Sequence, residues 1–154
     1  MKKQRLYLDT SVFGGYFDVE FMEFTSPLFD RILKGDFIIL LSTILDEELE
    51  FAPERIKNLV KKLDKSYIEY LEDNAEAIEL ATDYVKEKVV GATSYSDCLH
   101  IALATIYQAD ILVSWNFKHI VNIERIRGYN AINIKNGYRQ LEIRSTRDLM
   151  NYGN

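Results

Sequence analysis

Three acidic residues far apart in the chain stand where chemistry is expected. Asp9 closes the stretch "RLYLD" and is followed by Thr10 and Ser11. Glu48 lies in the acidic run "LDEELE", and Asp97 lies in "SYSDCLH". A fourth polar pair, Ser114 and Asn116, follows "DILV". Carboxylates with small hydroxyl residues and no Cys or His partner in the set form an all-oxygen donor set. Such a set suits Mg²⁺ or Mn²⁺ rather than zinc. Three carboxylates in one pocket repel and raise one another's pKa, and a divalent cation relieves that repulsion. Mg²⁺ keeps several waters and needs few protein carboxylates, which leaves positions for phosphate oxygens.

Each acid also has a plainer reading. Asp9 with Thr10 and Ser11 reads as a cap on the next turn. Ser94 and Asp97 have the spacing of a capping box. The acids of "LDEELE" read as a solvated helix face, but Glu48 lies four and three residues after Ile44 and Leu45, on their side. Glu48 is therefore the expected ligand, with Glu47 as the alternative. His100, three residues after Asp97, shares its helix face; it reads as a locally hydrogen-bonded, partly buried His or as a contact behind the site. Trp115 reads as a core aromatic or a base-stacking ring at the rim, and Cys98 as a small buried hydrophobe.

These residues need elements to bring them together. Arg5 to Leu8 reads as a strand. "TSPLFDRILKGDF" reads as a helix capped by Ser26, with Pro27 in its first turn and Gly35 at its exit. Phe37 to Leu41 is a short continuous apolar run, typical of a strand buried on both faces. Ser42 or Thr43 caps the next helix, which Pro53 interrupts before "PERIKNLVKKL" resumes it. "YIEYL" reads as a third strand or as continued helix. From Asn74 an amphipathic helix presents Ala77, Ile78, Ala81 and Val85 and ends at Gly91. "SYSDCLHIALATIYQ" is a more apolar helix, "DILVSW" a strand, "NFKHIVNIERIRGYN" a helix or helix-turn, and "YRQLEIRS" the last strand. Alternation of this kind gives an α/β fold with a parallel sheet and right-handed crossovers. Ligands of such sheets bind beyond the carboxyl ends of the strands, where Asp9, Ser42 and Ser114 emerge.

Composition narrows the class. The chain has 154 residues, 47% of them hydrophobic, which predicts one domain over 1–154. A net charge of −5 argues against a general polyanion binder. The single cysteine favours a reducing, cytoplasmic location, and no apolar run is long enough to cross a membrane. No Gly-rich nucleotide fingerprint occurs. An aspartyl-nucleophile phosphatase would want a second Asp where Ser11 stands.

The ordered set "YLDTSVF", "LSTILDEEL", "SYSDCLHIALA" and "ADILVSWNFKHI" resembles the PIN-domain family, in particular its single-domain, VapC-type ribonuclease toxins of toxin–antitoxin operons. The resemblance spans nearly the whole chain. It implies a three-layer α/β/α sandwich and metal-dependent endoribonuclease activity leaving a 5′-phosphate and a 3′-hydroxyl. By that resemblance Asp9, Glu48 and Asp97 hold Mg²⁺ or Mn²⁺, directly or through water, and Thr10, Ser11, Ser114 and Asn116 position water or phosphate. It further implies an RNA substrate, a small antitoxin partner and a homodimer. The family often carries a fourth acid where Asn116 stands, so the resemblance leaves a second tightly held metal in question. It also leaves open an inactive module that binds RNA or a partner.

Overall fold

The computed structural model describes residues 2–88 and 94–152. Five parallel strands form one sheet in the order β3-β2-β1-β4-β5. They are β1 (Arg5–Leu8), β2 (Ile38–Ser42), β3 (Ile68–Leu71), β4 (Ile111–Val113) and β5 (Ile143–Arg144). The helices are α1 (Thr10–Gly15), α2 (Met22–Leu33), α3 (Thr43–Leu49), α4 (Glu54–Lys61), α5 (Ala75–Lys86), α6 (Tyr95–Ile106), α7 (Ile123–Lys135) and α8 (Thr146–Tyr152). "YIEYL" is thus a strand, and a 3₁₀ turn at Lys65–Tyr67 leads into it.

The apolar runs make two cores because successive strand side chains point to opposite faces. Tyr7, Leu40 and Leu112 join Ala77, Leu80, Ile101 and Tyr129 on one side. Leu6, Leu8, Ile39, Leu41 and Val113 join Phe13, Phe29, Leu45 and Leu149 on the other. Helices therefore cover both faces, and the three-layer architecture holds. The strand order reverses at β1, which pairs with β2 on one side and β4 on the other. In open parallel sheets ligands bind beyond the carboxyl ends of the strands at such a reversal.

Several boundaries differ from expectation. Helix α2 begins at Met22, a turn before Ser26, and Pro27 sits inside it. Its entry is set by Asp18, whose side chain accepts from the Glu20 amide at 2.8 Å and whose carbonyl accepts from Met22 at 2.8 Å. An Asx turn at Asp18 outcompetes the Ser-Pro signal. Gly35 does end this segment, at φ +80°. On α5 the buried stripe is Ala77, Leu80, Ala81 and Tyr84, while Ile78 and Val85 are 43% and 40% exposed. The stripe follows the i, i+3, i+4, i+7 rule, and the buried Tyr84 hydroxyl is satisfied by Asn133. Gly91, expected to end this helix, lies outside the described residues. The last strand shrinks to Ile143–Arg144. Helix α8 follows it, entered through Ser145, whose Oγ accepts from the Asp148 amide at 3.1 Å.

Candidate active site

Asp9 occupies the N-cap position of α1, yet its carboxylate makes no capping bond. Instead Ser11 Oγ donates to Asp9 Oδ1 and Ser114 Oγ donates to Asp9 Oδ2, each at 2.6 Å. The capping reading of Asp9 is therefore excluded: Oδ1 is held by Ser11 of α1, while Oδ2 reaches Ser114 at the exit of β4, across the switch point. The two hydroxyls are themselves fixed, since Ser11 Oγ accepts from the Trp115 amide and Ser114 Oγ from the Asn116 amide, both at 2.9 Å.

Glu48 is on α3, whose start is fixed by Ser42 accepting from the Leu45 amide at 3.3 Å. Thr10 Oγ1 donates to Glu48 Oε1 at 2.8 Å, and His100 Nε2 contacts the same oxygen. Glu47 and Glu48 are both exposed, but Glu48 is the one bonded to Thr10 and His100 and the one whose charge acts on Asp9.

Asp97 lies in the first turn of α6, and its amide donates to Ser94 Oγ at 3.3 Å. Ser94 is therefore the cap, and the Asp97 carboxylate is half-buried on the side of Asn116, whose Nδ2 donates to Asp97 Oδ2 at 3.4 Å. Asn116 Oδ1 accepts from the His119 amide at 3.0 Å, which fixes the amide's orientation. The structure thus links Thr10 to Glu48, Ser11 and Ser114 to Asp9, and Asn116 to Asp97.

Behind the acids runs a buried polar chain. Tyr7 OH lies 2.8 Å from Ser42 Oγ and 2.6 Å from His100 Nδ1. Tyr7 and His100 are both buried. Nε2–H donates to the Glu48 carboxylate, and Nδ1 shares a hydrogen bond with the Tyr7 hydroxyl. His100 thus combines both of its expected readings: it is locally satisfied, and its partner is a site carboxylate. Tyr7 was not legible as part of the site, because one Tyr within "RLYL" reads as core. Burial drives its phenol pKa well above the ordinary range, so it stays a hydroxyl.

The charges couple. Burial pushes Asp9 above the ordinary carboxylate range, with Glu48 adding to the rise and His100, Ser11 and Ser114 opposing it. Asp97 is also raised, first by burial and then by Asp9 and Glu48. Burial pulls Glu48 upward as well, but the bond to His100, the charge of His100 and the Thr10 hydroxyl outweigh it, so Glu48 is lowered.

Among the described residues, no three or more His, Cys, Asp or Glu side chains are assembled for direct metal ligation. A preformed cage is therefore absent from this arrangement. The chemistry of the donor set still suits a hard divalent cation. It is all oxygen, three of its members are acids, and two of these, Asp9 and Asp97, are raised by burial and by neighbouring carboxylates. Mg²⁺ retains several waters and is held by few protein carboxylates, so it does not require a preformed cage.

Residues 6–121 match the PIN domain family. The chain belongs to it. No curated protein sequence matches. The fold is similar to that of VapC toxins. A DNA-bound VapBC from Salmonella typhimurium aligns with TM-score 0.58 and 18% identity over 93% of this chain and 98% of the other. VapBC2 from Rickettsia felis, bound to a promoter DNA fragment, aligns with TM-score 0.58 and 17% identity over 92% and 98%. The sarcin-ricin loop cleaving toxin VapC20 of Mycobacterium tuberculosis aligns with TM-score 0.57 and 10% identity over 73% and 90%. In this PIN-domain chain Asp9 follows β1, while Glu48 and Asp97 lie on α3 and α6. Among the described residues no helix is long and apolar enough to cross a membrane.

Proposed function

We propose that this PIN-domain protein is a metal-dependent endoribonuclease and the toxin of a toxin–antitoxin pair. The reading is supported by Asp9, Glu48 and Asp97 each being held by its own polar partner while the charge of Glu48 acts on both Asp9 and Asp97. Mg²⁺ or Mn²⁺, held by these acids directly or through water, would lower the pKa of a bound water and stabilise charge on the phosphoryl oxygens.

The chain's own residues do the rest. Ser11 and Ser114 keep both Asp9 oxygens facing the crevice. His100 and Thr10 hold Glu48 ionised. Asp97, half-buried and bonded to Asn116, would hold the ion together with Asp9 and Glu48. Attack of the water on phosphorus would form a new P–O bond and break the bond to the 3′-oxygen; the water gives one proton to solvent and the departing 3′-oxygen takes one from solvent, leaving a 5′-phosphate and a 3′-hydroxyl. Thr10 and Asn116 border the space a phosphate would enter. A small antitoxin fits the reading because the similar VapBC structures are complexes; a homodimer in the cytoplasm completes it. Incubation of purified protein with RNA, with and without Mn²⁺, tests the activity.

Two observations favour a second reading, a module that binds RNA or a partner without cutting it. They are Asn116 in place of a fourth acid and the absence, among the described residues, of an assembled ligand set. Binding without Mn²⁺-dependent product would select it.

A further inference from the structure

Next to the acids stands an aromatic stack that the hydrolytic machinery does not use. Trp115 stacks on Phe21 with ring centroids 4.4 Å apart at 24°. Phe117 packs against both, at 5.9 Å from Trp115 and 6.4 Å from Phe21. Trp115 is only 6% exposed, whereas Phe117 is 47% exposed. The expectation of a stacking ring at the rim therefore moves from Trp115 to Phe117: the indole is the buttress and the phenyl is the open face.

The buttress is built in. Trp115 Nε1 donates to Thr25 Oγ1 at 2.9 Å, and its backbone amide donates to Ser11. A Cβ at Gly15 would lie 2.7 Å from two indole atoms, so the ring is seated where only glycine leaves room. The same five-residue stretch that carries Ser114 and Asn116 carries Trp115, Phe117 and Lys118. A cation held by the acids would carry the scissile phosphate; an exposed ring fixed one residue beyond Asn116 is placed to meet the sugar-base unit beside it. Single-stranded RNA is recognised by aromatic rings stacking on splayed bases, with cationic side chains on the adjoining phosphate. Lys118 supplies such a cation next to Phe117.

We propose that Phe117, buttressed by Trp115 and Phe21, is a stacking site for one nucleobase flanking the scissile phosphate. It sets where along a single strand the cut falls. The proposal rests on the ribonuclease reading above, and its test separates the two.

The substrates are a single-stranded RNA oligonucleotide, the same oligonucleotide with one abasic position at a time, and bis(p-nitrophenyl) phosphate, an activated phosphodiester with no base. Phe117→Ala is expected to lower RNA cleavage on the order of 10- to 100-fold, mostly in KM. Hydrolysis of bis(p-nitrophenyl) phosphate should be unchanged. Phe117→Trp should restore RNA cleavage. In the wild type one abasic position should cost as much as Phe117→Ala does, and that position should cost the variant nothing further. Equal losses on both substrates, or abasic penalties that are the same in wild type and variant at every position, would overturn the proposal. Wild-type protein inactive on both substrates would overturn the ribonuclease reading. Stacking is then read from binding alone, with 2-aminopurine placed in the RNA: quenching lost in Phe117→Ala supports the site, and quenching identical in the variant refutes it.

Discussion

Glu48 on α3 and His100 on α6 share a hydrogen bond although they are 52 positions apart, and His100 is anchored behind by Tyr7 at 2.6 Å. The imidazole therefore fixes a carboxylate that Thr10 alone would leave freer to turn. His100→Gln keeps an amide nitrogen near the place of Nε2, whereas His100→Asn reaches only the Tyr7 side. We expect His100→Asn to lower kcat roughly 10- to 100-fold, in line with losses of outer-shell partners, and His100→Gln to recover part of it. Equal activity of the two variants would show that the bond to Glu48 does not matter.

Asn116 offers the complementary test. Its Nδ2 lies 3.4 Å from Asp97, in the place where a fourth acid often stands in the family resemblance. Asn116→Asp replaces a donor with a like charge and raises Asp97 further. The metal-free variant should lose about 1 kcal/mol of stability at neutral pH, and its Mn²⁺ affinity should rise about tenfold as the added charge is neutralised. Thermal unfolding and calorimetric titration read both. An unchanged Mn²⁺ affinity would remove Asn116 from the site.

The acids also predict how stability depends on pH. Asp9 and Asp97 are raised, so the folded state binds more protons than the unfolded chain between the ordinary aspartate value of 3.8 and the raised folded values. Their contribution to stability falls as pH rises through that window. Glu48 is lowered and has the opposite sign; its contribution is present above 4.5 and lost as pH falls through the lowered value. Asp9→Asn deletes one of the two raised groups, and an amide still pairs with hydroxyls, which both donate and accept. Metal-free Asp9→Asn should therefore gain Tm relative to wild type as pH rises from about 4 to about 7. A Tm difference that does not change with pH would contradict the burial cost assigned to this carboxylate.

Two adjacent glycines separate packing from backbone effects. A Cβ at Gly14 meets nothing within 4 Å, while one at Gly15 meets the indole of Trp115 at 2.7 Å. Both residues are in α1. Gly14→Ala should be neutral or stabilise by up to about 1 kcal/mol through helix propensity. Gly15→Ala should destabilise by about 1–3 kcal/mol through overpacking. Chemical denaturation of the pair tests the difference, and equal effects would mean that the Trp115 seat is not constrained.

Much of this arrangement was legible because its signals are local. "FIILL" announces a strand buried on both faces, Ser42 and Asn74 announce helix starts, and Asp9 sits where a first strand must end. What escaped depends on contacts the sequence does not print. Whether Asp9 caps its own turn or reaches to Ser114 is decided by β1 lying beside β4, 105 positions away in sequence. Tyr7 is part of the site only because β1 brings it under both Ser42 and His100. The start of α2 was misplaced because two turn signals, Asp18 and Ser26-Pro27, compete, and the backbone around Asp18 wins.

The central claim is that Asp9, Glu48 and Asp97 together hold a divalent ion that cuts RNA. The most direct measurement is cleavage of a defined RNA by wild type and by Asp9→Asn, in EDTA and in Mn²⁺, with circular dichroism confirming that both are folded. The account predicts 5′-phosphate products from the wild type in Mn²⁺ alone, and a loss of at least about 10³-fold in Asp9→Asn. Cleavage that persists in EDTA, or that Asp9→Asn retains at the wild-type rate, would contradict it.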